Sequence, residues 1–323
     1  MKKTILTGAA GFIGANLARR LLQEGHQLHL LLRPGDSQWR LQDILKDAQV
    51  HMLDLSEAPA VSSAVEHIRP EYIFHLAAYG AYSSQADLPR MIAANISGTA
   101  NLLEACLRTG FAAFVNTGSS SEYGFKDHAP AENEWIEPNS HYAVTKAAAT
   151  LYCRFTAQKH HLHIPTLRLY SVYGPYEEPT RLIPTLIVRG LQNQLPPLVN
   201  PEIQRDYVYI EDVVDAYLLA ADTPHQEPGA VYNVGTGRAT SLREVVEVAR
   251  RILKVTAVPE WGSMLDRAWD TSIWVADNRA LQKALGWQPR YDFVLGFQST
   301  MEWLQGTSGR LQFYQSNLGR LPS

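Results

Sequence analysis

A tyrosine and a lysine four residues apart, Tyr142 and Lys146, are the residues whose types and spacing most directly suggest chemistry. In a helix, residues at i and i+4 lie on one face, a turn apart. A phenol is a weak acid and a weak base at neutral pH, but a neighbouring ammonium favours the phenolate and lowers the pKa of the tyrosine. Such a pair can exchange a proton with an alcohol or a carbonyl group.

Three serines stand together at 119–121, after an apolar stretch that predicts a β-strand over residues 112–117. A serine hydroxyl at a strand end either completes a turn or donates a hydrogen bond to a reacting oxygen. Glu122 follows, and the alternation of side chains along a strand directs it to the face opposite Ser121. The face of Ser121 is therefore expected to carry hydroxyl groups and no carboxylate.

A glycine loop precedes these groups in the chain. Gly8, Gly11 and Gly14 lie between a strand pattern at 4–7 and a helical pattern at 13–24. Residues without a Cβ let the backbone approach a pyrophosphate, which the free N–H groups and the dipole of a helix N-terminus also favour. The spacing is G-x-x-G-x-x-G rather than the common G-x-G-x-x-G. We expect a dinucleotide to bind at this strand–turn–helix unit.

The end of the second predicted strand, 28–32, indicates which dinucleotide binds. A carboxylate there would hydrogen-bond the ribose 2′-hydroxyl of NAD, but Leu32 occupies the position and Arg33 follows it. A guanidinium suits the 2′-phosphate of NADP through charge-assisted hydrogen bonds, with Ser37 and Arg40 as further candidate ligands. The sequence favours NADP (NADPH when reduced), and NAD stays an alternative.

Strand patterns alternate with helical patterns through the first half of the chain, which predicts βαβ units and a parallel sheet. With right-handed crossovers, this gives an α/β fold with a doubly wound parallel sheet. Beyond residue 174 prolines cluster, and a smaller mixed domain is expected. We assign 1–170 and 205–236 to the dinucleotide-binding domain, and 171–204 and 237–323 to a substrate domain.

The composition argues against several classes of protein. The 323 residues are 46% hydrophobic, which is enough for a large core. The formal net charge is −3, which disfavours nucleic acid as a partner. Cys106 and Cys153 lie in helical patterns and form no disulfide framework or metal-binding spacing. The sequence shows no signal peptide and no apolar run of membrane-spanning length, so we expect a cytoplasmic protein without membrane contact.

Segments along nearly the whole chain resemble the extended short-chain dehydrogenase/reductase family, which includes nucleotide-sugar epimerases, dehydratases and reductases. The matching segments are TGAAGFIG (7–14), HLAA (75–78), NISGT (95–99), GSSSEYG (118–124), YAVTK (142–146), RLYSVYGP (168–175), RDYVYIEDVV (205–214), YNVGTG (232–237) and ADNRALQKALGWQP (276–289). The resemblance implies a Rossmann fold, a nicotinamide cofactor and a nucleotide-sugar substrate bound by the smaller domain.

The resemblance also assigns roles to individual residues. The implied catalytic residues are Ser119, the acid/base Tyr142, and Lys146, which binds the nicotinamide ribose and tunes Tyr142. The implied cofactor-binding residues are Gly8, Gly11, Phe12, Ile13, Gly14, Arg33, Asp54, Leu55, Leu76, Ala77, Ala78, Asn95, Tyr142, Lys146, Tyr170 and Val172. The implied substrate-binding residues are Ser121, Ser171, Arg205 and Arg267, and no metal is implied. Asp54 would reach the adenine, although an isolated acid equally caps a turn.

Two departures from the family narrow the chemistry. Members that act as 4,6-dehydratases carry one or two acids directly after the catalytic serine or threonine, because elimination needs an acid and a base. Here these positions are Ser120 and Ser121, which disfavours dehydration. Ser171 stands where many relatives have an asparagine that contacts the substrate phosphates.

We therefore expect an NADPH-dependent 4-ketoreductase of a nucleotide-activated deoxysugar. The reductase is favoured because Leu32 stands where NAD-binding relatives carry an acid and Arg33 follows it. Residues 261–278 also resemble 4-ketosugar reductases. A nucleotide-sugar 4-epimerase, which returns the hydride to the same carbon, is the main alternative, and a non-catalytic NADP sensor is another. The resemblance also implies a homodimer with a four-helix interface, formed by the helices at 91–109 and 142–159.

Overall fold

The computed structural model describes residues 1–82, 84–224, 227–263 and 273–318. Its strands are β1 (Lys3–Thr7), β2 (Gln27–Leu32), β3 (Gln49–Met52), β4 (Tyr72–His75), β5 (Ala113–Ser119), β6 (Thr166–Leu169), β7 (Ser171–Tyr173), β8 (Gln204–Arg205), β9 (Tyr207–Tyr209), β10 (Val231–Val234), β11 (Thr240–Ser241) and β12 (Ile273–Trp274). Its α-helices are α1 (Phe12–Gln23), α2 (Ala58–Ile68), α3 (Leu88–Ile92), α4 (Gly98–Thr109), α5 (His141–His160), α6 (Leu182–Gly190), α7 (Ile210–Asp222), α8 (Leu242–Leu253), α9 (Arg279–Leu285), α10 (Phe293–Gln305) and α11 (Ser308–Asn317). Within these ranges, no helix has the length and apolar character needed to span a bilayer.

A seven-stranded parallel sheet forms the centre of the fold, in the order β10-β6-β5-β4-β1-β2-β3. The first strand lies between the second and the fourth, with Thr4 opposite Leu28 on one side and Tyr72 on the other. The strand order reverses direction at this point, and doubly wound folds bind ligands beyond the carboxyl ends of the strands that flank such a reversal. The predicted doubly wound parallel sheet is confirmed.

Both faces of this sheet are buried, which explains why its strands read as apolar runs. Neighbouring residues of one strand enter different cores: Ile5 packs with side chains of α2 and α4, and Leu6 packs with side chains of α1 and α7. Phe114 and Val115 divide between the cores in the same way. Each buried side chain of this size stabilises the fold by roughly 1.5–3 kcal/mol, so β1 and β5 are firmly held supports for the residues at their ends.

The smaller lobe contains a sheet in the order β11-β8-β12 and the pair of β7 with β9. Asp206, between β8 and β9, is completely buried. Its carboxylate accepts hydrogen bonds from the N–H groups of Thr236, Gly237 and Ala276 and from the Thr236 hydroxyl. This carboxylate therefore joins the lobe to the segments that follow β10 and β12, while the domain boundaries given above stay a prediction.

Arg40 fastens the loop after β2 to the smaller lobe. Its guanidinium donates hydrogen bonds to the carbonyl oxygen of Tyr176 at 2.7 Å, to the Glu178 carboxylate at 2.8 Å and to the carbonyl oxygen of Ala10 at 3.3 Å. The side chain is buried. Arg40 is thus used within the protein, and the suggestion that it binds a cofactor phosphate is not supported.

Candidate active site

The glycine loop is a tight turn between β1 and α1. Gly8 has a φ of +70°, and a Cβ on it would lie 2.6 Å from the backbone nitrogen of Ala77. A Cβ on Gly14 would lie 2.2 Å from the carbonyl oxygen of Gly8, so the helix packs directly on the turn. Gly11 precedes the helix, and no side chain caps the first helical turn. The free N–H groups of that turn form a cradle for a pyrophosphate.

The carboxyl end of β4 lies beside this loop. The Thr7 hydroxyl accepts hydrogen bonds from the backbone N–H groups of Leu76 and Ala77, both at 3.1 Å, and so joins the two strand ends. The other residues assigned to this part of the cofactor site are half-buried or exposed: Phe12, Ile13 and Ala78. The two predicted cofactor segments, 7–14 and 75–78, therefore meet at one edge of the sheet.

Ser119 ends β5 and begins a 3-10 turn, Ser120–Tyr123. Its hydroxyl lies 2.7 Å from the Ser121 hydroxyl, and its side chain lies close enough to the Tyr142 phenol to lower the pKa of that phenol. The structure thus brings the hydroxyl groups of Ser119 and Ser121 into contact and places the Tyr142 phenol beside them. A sugar hydroxyl or carbonyl placed beside Ser119 and Tyr142 would meet two hydrogen-bonding groups.

The side chain of Glu122 does not follow the strand pattern assumed from the sequence, because the strand ends at Ser119. The carboxylate folds back, completely buried, and accepts hydrogen bonds from the Ser119 N–H, the Thr150 hydroxyl and the Arg168 guanidinium. Ser119 and Glu122 form a capping box. Their Ser-x-x-Glu spacing is the signature of that motif and is the signal from which this geometry could have been predicted.

Tyr142 lies in the first turn of α5, just after the capping residue Ser140. Burial and the Glu122 carboxylate raise the pKa of Tyr142 to about 12, and the nearby Ser119 side chain partly opposes them. The protein groups alone therefore do not produce the lowered pKa that was expected from Lys146. A cationic group bound beside the phenol would favour the phenolate and so lower the pKa of Tyr142.

Lys146 follows Tyr142 by one turn and is 3% exposed. Among the residues that the structure describes, none forms a hydrogen bond or an ion pair with its ammonium group. Burial lowers the pKa of Lys146, and the Glu122 charge partly opposes this. A buried ammonium without a partner is costly, which fits a site that is completed by the hydroxyl groups of a bound ribose.

The residues present fit a dinucleotide on three independent observations. The glycine positions leave no room for a Cβ beside the turn, the first turn of α1 has no side-chain cap, and the Lys146 ammonium lacks a protein partner in the described ranges. The backbone of Gly8, Gly11 and Gly14 would hold the pyrophosphate, and Lys146 would hold the ribose next to the nicotinamide.

Asn95 is buried in a π-helical turn, Ala93–Ser97, that joins α3 to α4. Its amide nitrogen donates to the carbonyl oxygen of Tyr79 at 2.8 Å and to the Thr145 hydroxyl at 2.9 Å, while its oxygen accepts from the Tyr79 N–H. Both amide hydrogens are used inside the protein, where they link the loop after β4 to α5. Asn95 therefore supports the residue next to Lys146, and its contact with the cofactor stays a prediction.

Arg33 is paired with a nearby acid. Its Nε donates to the Asp36 carboxylate at 3.0 Å, and a second nitrogen of the guanidinium contacts the same oxygen. The loop after β2 therefore contains a carboxylate that the sequence reasoning missed, because it lies beyond the strand end. An acid near the ribose favours a free 2′-hydroxyl, so the preference for NADP is weaker than the sequence suggested.

Asp54 caps the turn after β3. One carboxylate oxygen accepts hydrogen bonds from the backbone N–H of Ser56 at 2.9 Å and from its hydroxyl at 2.8 Å, and the backbone hydrogen bond is the main cause of a lowered pKa of Asp54. Asn101 on α4 donates to the carbonyl oxygen of Leu55 and holds the same turn. The alternative of a turn-capping acid describes Asp54, and its contact with adenine stays a prediction.

Tyr170 follows β6 and is 7% exposed. Its buried hydroxyl has no hydrogen-bond partner in the part of the chain that the structure describes. Tyr170 lines a cavity of about 10 Å³ together with Ser120, Lys126 and Trp274, which is room for about one water molecule. The tyrosine thus lies next to the serine turn, and its assigned contact with the cofactor stays a prediction.

The remaining assigned residues lie at the junction with the smaller lobe. Ser171 and Val172 belong to β7, which pairs with β9. Arg205 belongs to β8, its guanidinium donates to the carbonyl oxygen of the preceding residue, and it lies 5.8 Å from the centre of the Trp274 ring. Arg267 lies outside the described residues. The contacts of these groups with a substrate stay predictions.

A doubly wound sheet with a glycine loop after its first strand, and a Ser–Tyr–Lys set on β5 and α5, defines a dinucleotide-dependent enzyme of the short-chain dehydrogenase type. The chain belongs to the NAD dependent epimerase/dehydratase family, whose model matches residues 4–235.

Individual relatives cover almost the whole chain. The sequence is 30% identical to UDP-glucose 4-epimerase of Mycolicibacterium smegmatis over 93% of this chain and 97% of that protein. It is 29% identical to dTDP-glucose 4,6-dehydratase of Streptomyces griseus over 92% of each. The fold is similar to that of Thermus thermophilus UDP-glucose 4-epimerase in complex with NAD, with a TM-score of 0.82 and 28% identity over 94% of this chain and 99% of that chain.

Proposed function

We propose that this protein is an NAD-dependent 4-epimerase of a nucleoside-diphosphate hexose. The observation that carries the proposal is the placement of the Ser119 side chain beside the Tyr142 phenol, one helical turn from the buried Lys146, because this set can remove a proton from a sugar hydroxyl and return it. Ser120 and Ser121 stand where elimination would need acids. The similarity to UDP-glucose 4-epimerases also favours the epimerase over the ketoreductase that the sequence alone suggested.

The proposed reaction balances without consuming a cofactor. Tyr142 accepts the proton of the sugar hydroxyl as a hydride leaves the carbon that carries this hydroxyl. Tyr142 later returns the proton to the carbonyl oxygen. A bound nicotinamide would supply the hydride acceptor and then the hydride donor, and return of the hydride to the other face of the sugar carbon would give the 4-epimer. Ser119 donates a hydrogen bond to the sugar oxygen at the point where that oxygen carries the most negative charge. One such donor lowers the free energy of the transition state by on the order of 3 kcal/mol.

NAD is the proposed cofactor because the guanidinium of Arg33 is paired with Asp36. A 2′-phosphate would have to compete with this carboxylate for the arginine and would be repelled by it. NAD in the complex of the Thermus epimerase agrees with the proposal.

A ketoreductase that uses NADPH is the second candidate. Leu32 ends β2, and no carboxylate occupies that strand end. A free Arg33 would then bind the 2′-phosphate as the sequence suggested. The two candidates differ in whether turnover needs added NADPH, since only the reductase consumes its cofactor.

The smaller lobe is proposed to hold the nucleoside diphosphate, with Arg205 facing the phosphates. Its neighbour Asp206 fixes the strand through four hydrogen bonds to its carboxylate, and Trp274 provides an aromatic surface close to the guanidinium. UDP is the first nucleotide to test, because the similar epimerases act on UDP-glucose by name.

A homodimer through α4 and α5 is also proposed. Val144, Leu151 and Phe155 on α5 are 50%, 55% and 59% exposed, and their spacing of seven and four residues places them on one helix face. Ile92 in α3, 43% exposed, precedes the same helical segment. This exposed apolar face of α5, together with exposed Ile92 in the segment that leads into α4, suits an isologous four-helix contact.

Turnover measurements on the purified protein test the proposed function. The protein is incubated with UDP-glucose, UDP-galactose and dTDP-glucose, first without added cofactor and then with NAD or NADPH, and products are identified by NMR. We expect interconversion of a 4-epimer pair without NADPH, and its loss in Tyr142→Phe. The matched control is Tyr152→Phe on the same helix, which removes a hydroxyl that binds Glu104 of α4 and should keep activity. Turnover that requires NADPH would contradict the epimerase and favour the reductase.

A further inference from the structure

Glu122 is a completely buried carboxylate that the proposed reaction does not use. It lies where β5, β6 and α5 meet. Oε1 accepts hydrogen bonds from the Ser119 N–H at 2.8 Å and from the Thr150 hydroxyl at 3.0 Å, and Oε2 accepts from Nε of Arg168 at 2.8 Å. A Cβ on Gly118 would lie 2.8 Å from Oε1, so the carboxylate packs directly on the strand.

A buried ion pair is weak evidence for stability, because the cost of removing two charges from water offsets much of their attraction. Arg168 and Glu122 are 4% and 0% exposed in their side chains, and the guanidinium also lies 4.5 Å from the centre of the Tyr123 ring. Apolar residues of similar volume could fill such a position at no loss of stability. The placement of this pair directly behind Ser119 therefore indicates a role in arranging the site.

We infer that Glu122 is a positioning residue for the proposed reaction, on which this inference rests. It fixes the end of β5 against α5, so that the Ser119 side chain is held beside the Tyr142 phenol. A single oxygen, Oε1, bridges the two elements, since it binds the Ser119 N–H on the strand and Thr150 about two turns along the helix from Tyr142.

The charge of Glu122 also acts on the ionisation of the site. Several ionisable groups face Glu122 or its ion-pair partner Arg168. They are Arg168 itself on β6, three groups on α5 (Tyr142, Lys146 and Cys153), Tyr123 in the 3-10 turn, and Glu132 beside Arg168. The carboxylate raises the pKa of Tyr142 and opposes the lowered pKa of Lys146. Removal of this charge therefore lowers the pKa of Tyr142 and moves the pH profile of turnover to lower pH.

Two variants separate position from charge. Glu122→Gln keeps an amide oxygen for Ser119 but presents N–H groups to Arg168, so the turn loses one of its anchors. Glu122→Gln with Arg168→Gln restores a neutral hydrogen-bonded pair at the same place. Glu137→Gln, at a carboxylate that is 61% exposed and paired with Lys126, is the matched control.

Hydrogen exchange and kinetics are measured on the purified full chain. We expect Glu122→Gln to accelerate amide exchange in residues 119–123 and in the first turns of α5, and to lower kcat about ten- to a hundredfold with KM unchanged. The double variant should recover slow exchange and part of kcat, while its pH profile stays shifted. The control should match the wild type throughout.

The outcomes distinguish this inference from the proposed function. If Glu122→Gln exchanges like the wild type, or keeps wild-type kcat and pH profile, the positioning role is wrong and the epimerase proposal stands. If the wild type turns over none of the sugars, the epimerase proposal fails, and faster exchange at 119–123 in the single variant with recovery in the double variant still supports the positioning role.

Discussion

Glu177 allows a quantitative prediction, because its carboxyl group is buried without an ion-pair partner in the described ranges. The residue is 7% exposed, and its Oε2 has no hydrogen-bond partner among the described residues. Burial raises the pKa of Glu177 from 4.5 to about 8. The group therefore keeps its proton in the folded protein at neutral pH.

The sign of the effect on stability follows from proton binding. Between pH 4.5 and about 8 the folded protein holds a proton on Glu177 that the unfolded chain releases. The free energy of unfolding must therefore fall as the pH rises through this window. The full pKa shift of Glu177 corresponds to roughly 5 kcal/mol of unfolding free energy, at about 1.36 kcal/mol per pKa unit. About 3 kcal/mol of this stability is lost between about pH 5 and pH 8.

Glu177→Gln replaces the neutral carboxylic acid by an amide of nearly the same shape that does not ionise. We expect the variant to be close to the wild type in stability at pH 5 and more stable by about 3 kcal/mol at pH 8. Urea unfolding followed by tryptophan fluorescence at pH values from 5 to 8 measures the difference. A substitution effect that is independent of pH, or a less stable variant at pH 8, would refute the reasoning.

The adjacent residue is the matched control for this experiment. Glu178 binds Arg40 at 2.8 Å, and the two side chains are 16% and 8% exposed. Glu178→Gln leaves a buried guanidinium without its charge partner, which costs on the order of 3 kcal/mol. The two neighbouring substitutions should thus change stability in opposite directions at pH 8.

The other predictions concern the cofactor, the smaller lobe and the dimer. Gly14→Ala should weaken NAD binding at least about tenfold by calorimetry, because its Cβ would lie 2.2 Å from a carbonyl oxygen of the loop. Asp36→Ala should release Arg33 and raise the affinity for NADP relative to NAD in the same assay. Asp206→Asn should destabilise the protein by about 3 kcal/mol in thermal unfolding, since an amide places N–H groups against backbone donors. Leu151→Glu should convert a dimer into a monomer in analytical ultracentrifugation.

Controls are available for these variants. Gly309→Ala adds a Cβ that meets nothing within 4 Å, so it should bind NAD like the wild type. Tight NAD binding by Gly14→Ala would contradict the assignment of the glycine loop. An unchanged ratio of NADP to NAD affinity in Asp36→Ala would mean that the Arg33 pair does not set the cofactor preference.

The fold could be predicted from the sequence because its strands are buried on both faces and read as apolar runs. The strands predicted at 4–7 and 28–32 agree with β1 and β2 to within one residue at each end. The long helix predicted at 91–109 is instead α3, a π-helical turn and α4 in succession. The side-chain pattern alone does not reveal the π-helical turn, because the turn changes backbone hydrogen bonding inside an otherwise continuous helix.

The parts of the candidate site that depend on local sequence spacing could be predicted. The parts that depend on tertiary contacts could not. The i, i+4 spacing of Tyr142 and Lys146 and the glycine loop could be read directly. The burial of Glu122 was missed because strand alternation was extended past the point where a capping box begins. The pairing of Arg33 with Asp36 was missed because only the strand end was searched for an acid.

The fate of one hydrogen atom tests the central claim most directly. The wild-type protein is incubated with UDP-glucose carrying deuterium at C4, without added cofactor, and the product is examined by NMR and mass spectrometry. If Tyr142 and a retained NAD act as proposed, the product is the 4-epimer and it keeps deuterium at C4. An epimer that has lost the deuterium to solvent, or no product until NADPH is added, would contradict the proposal.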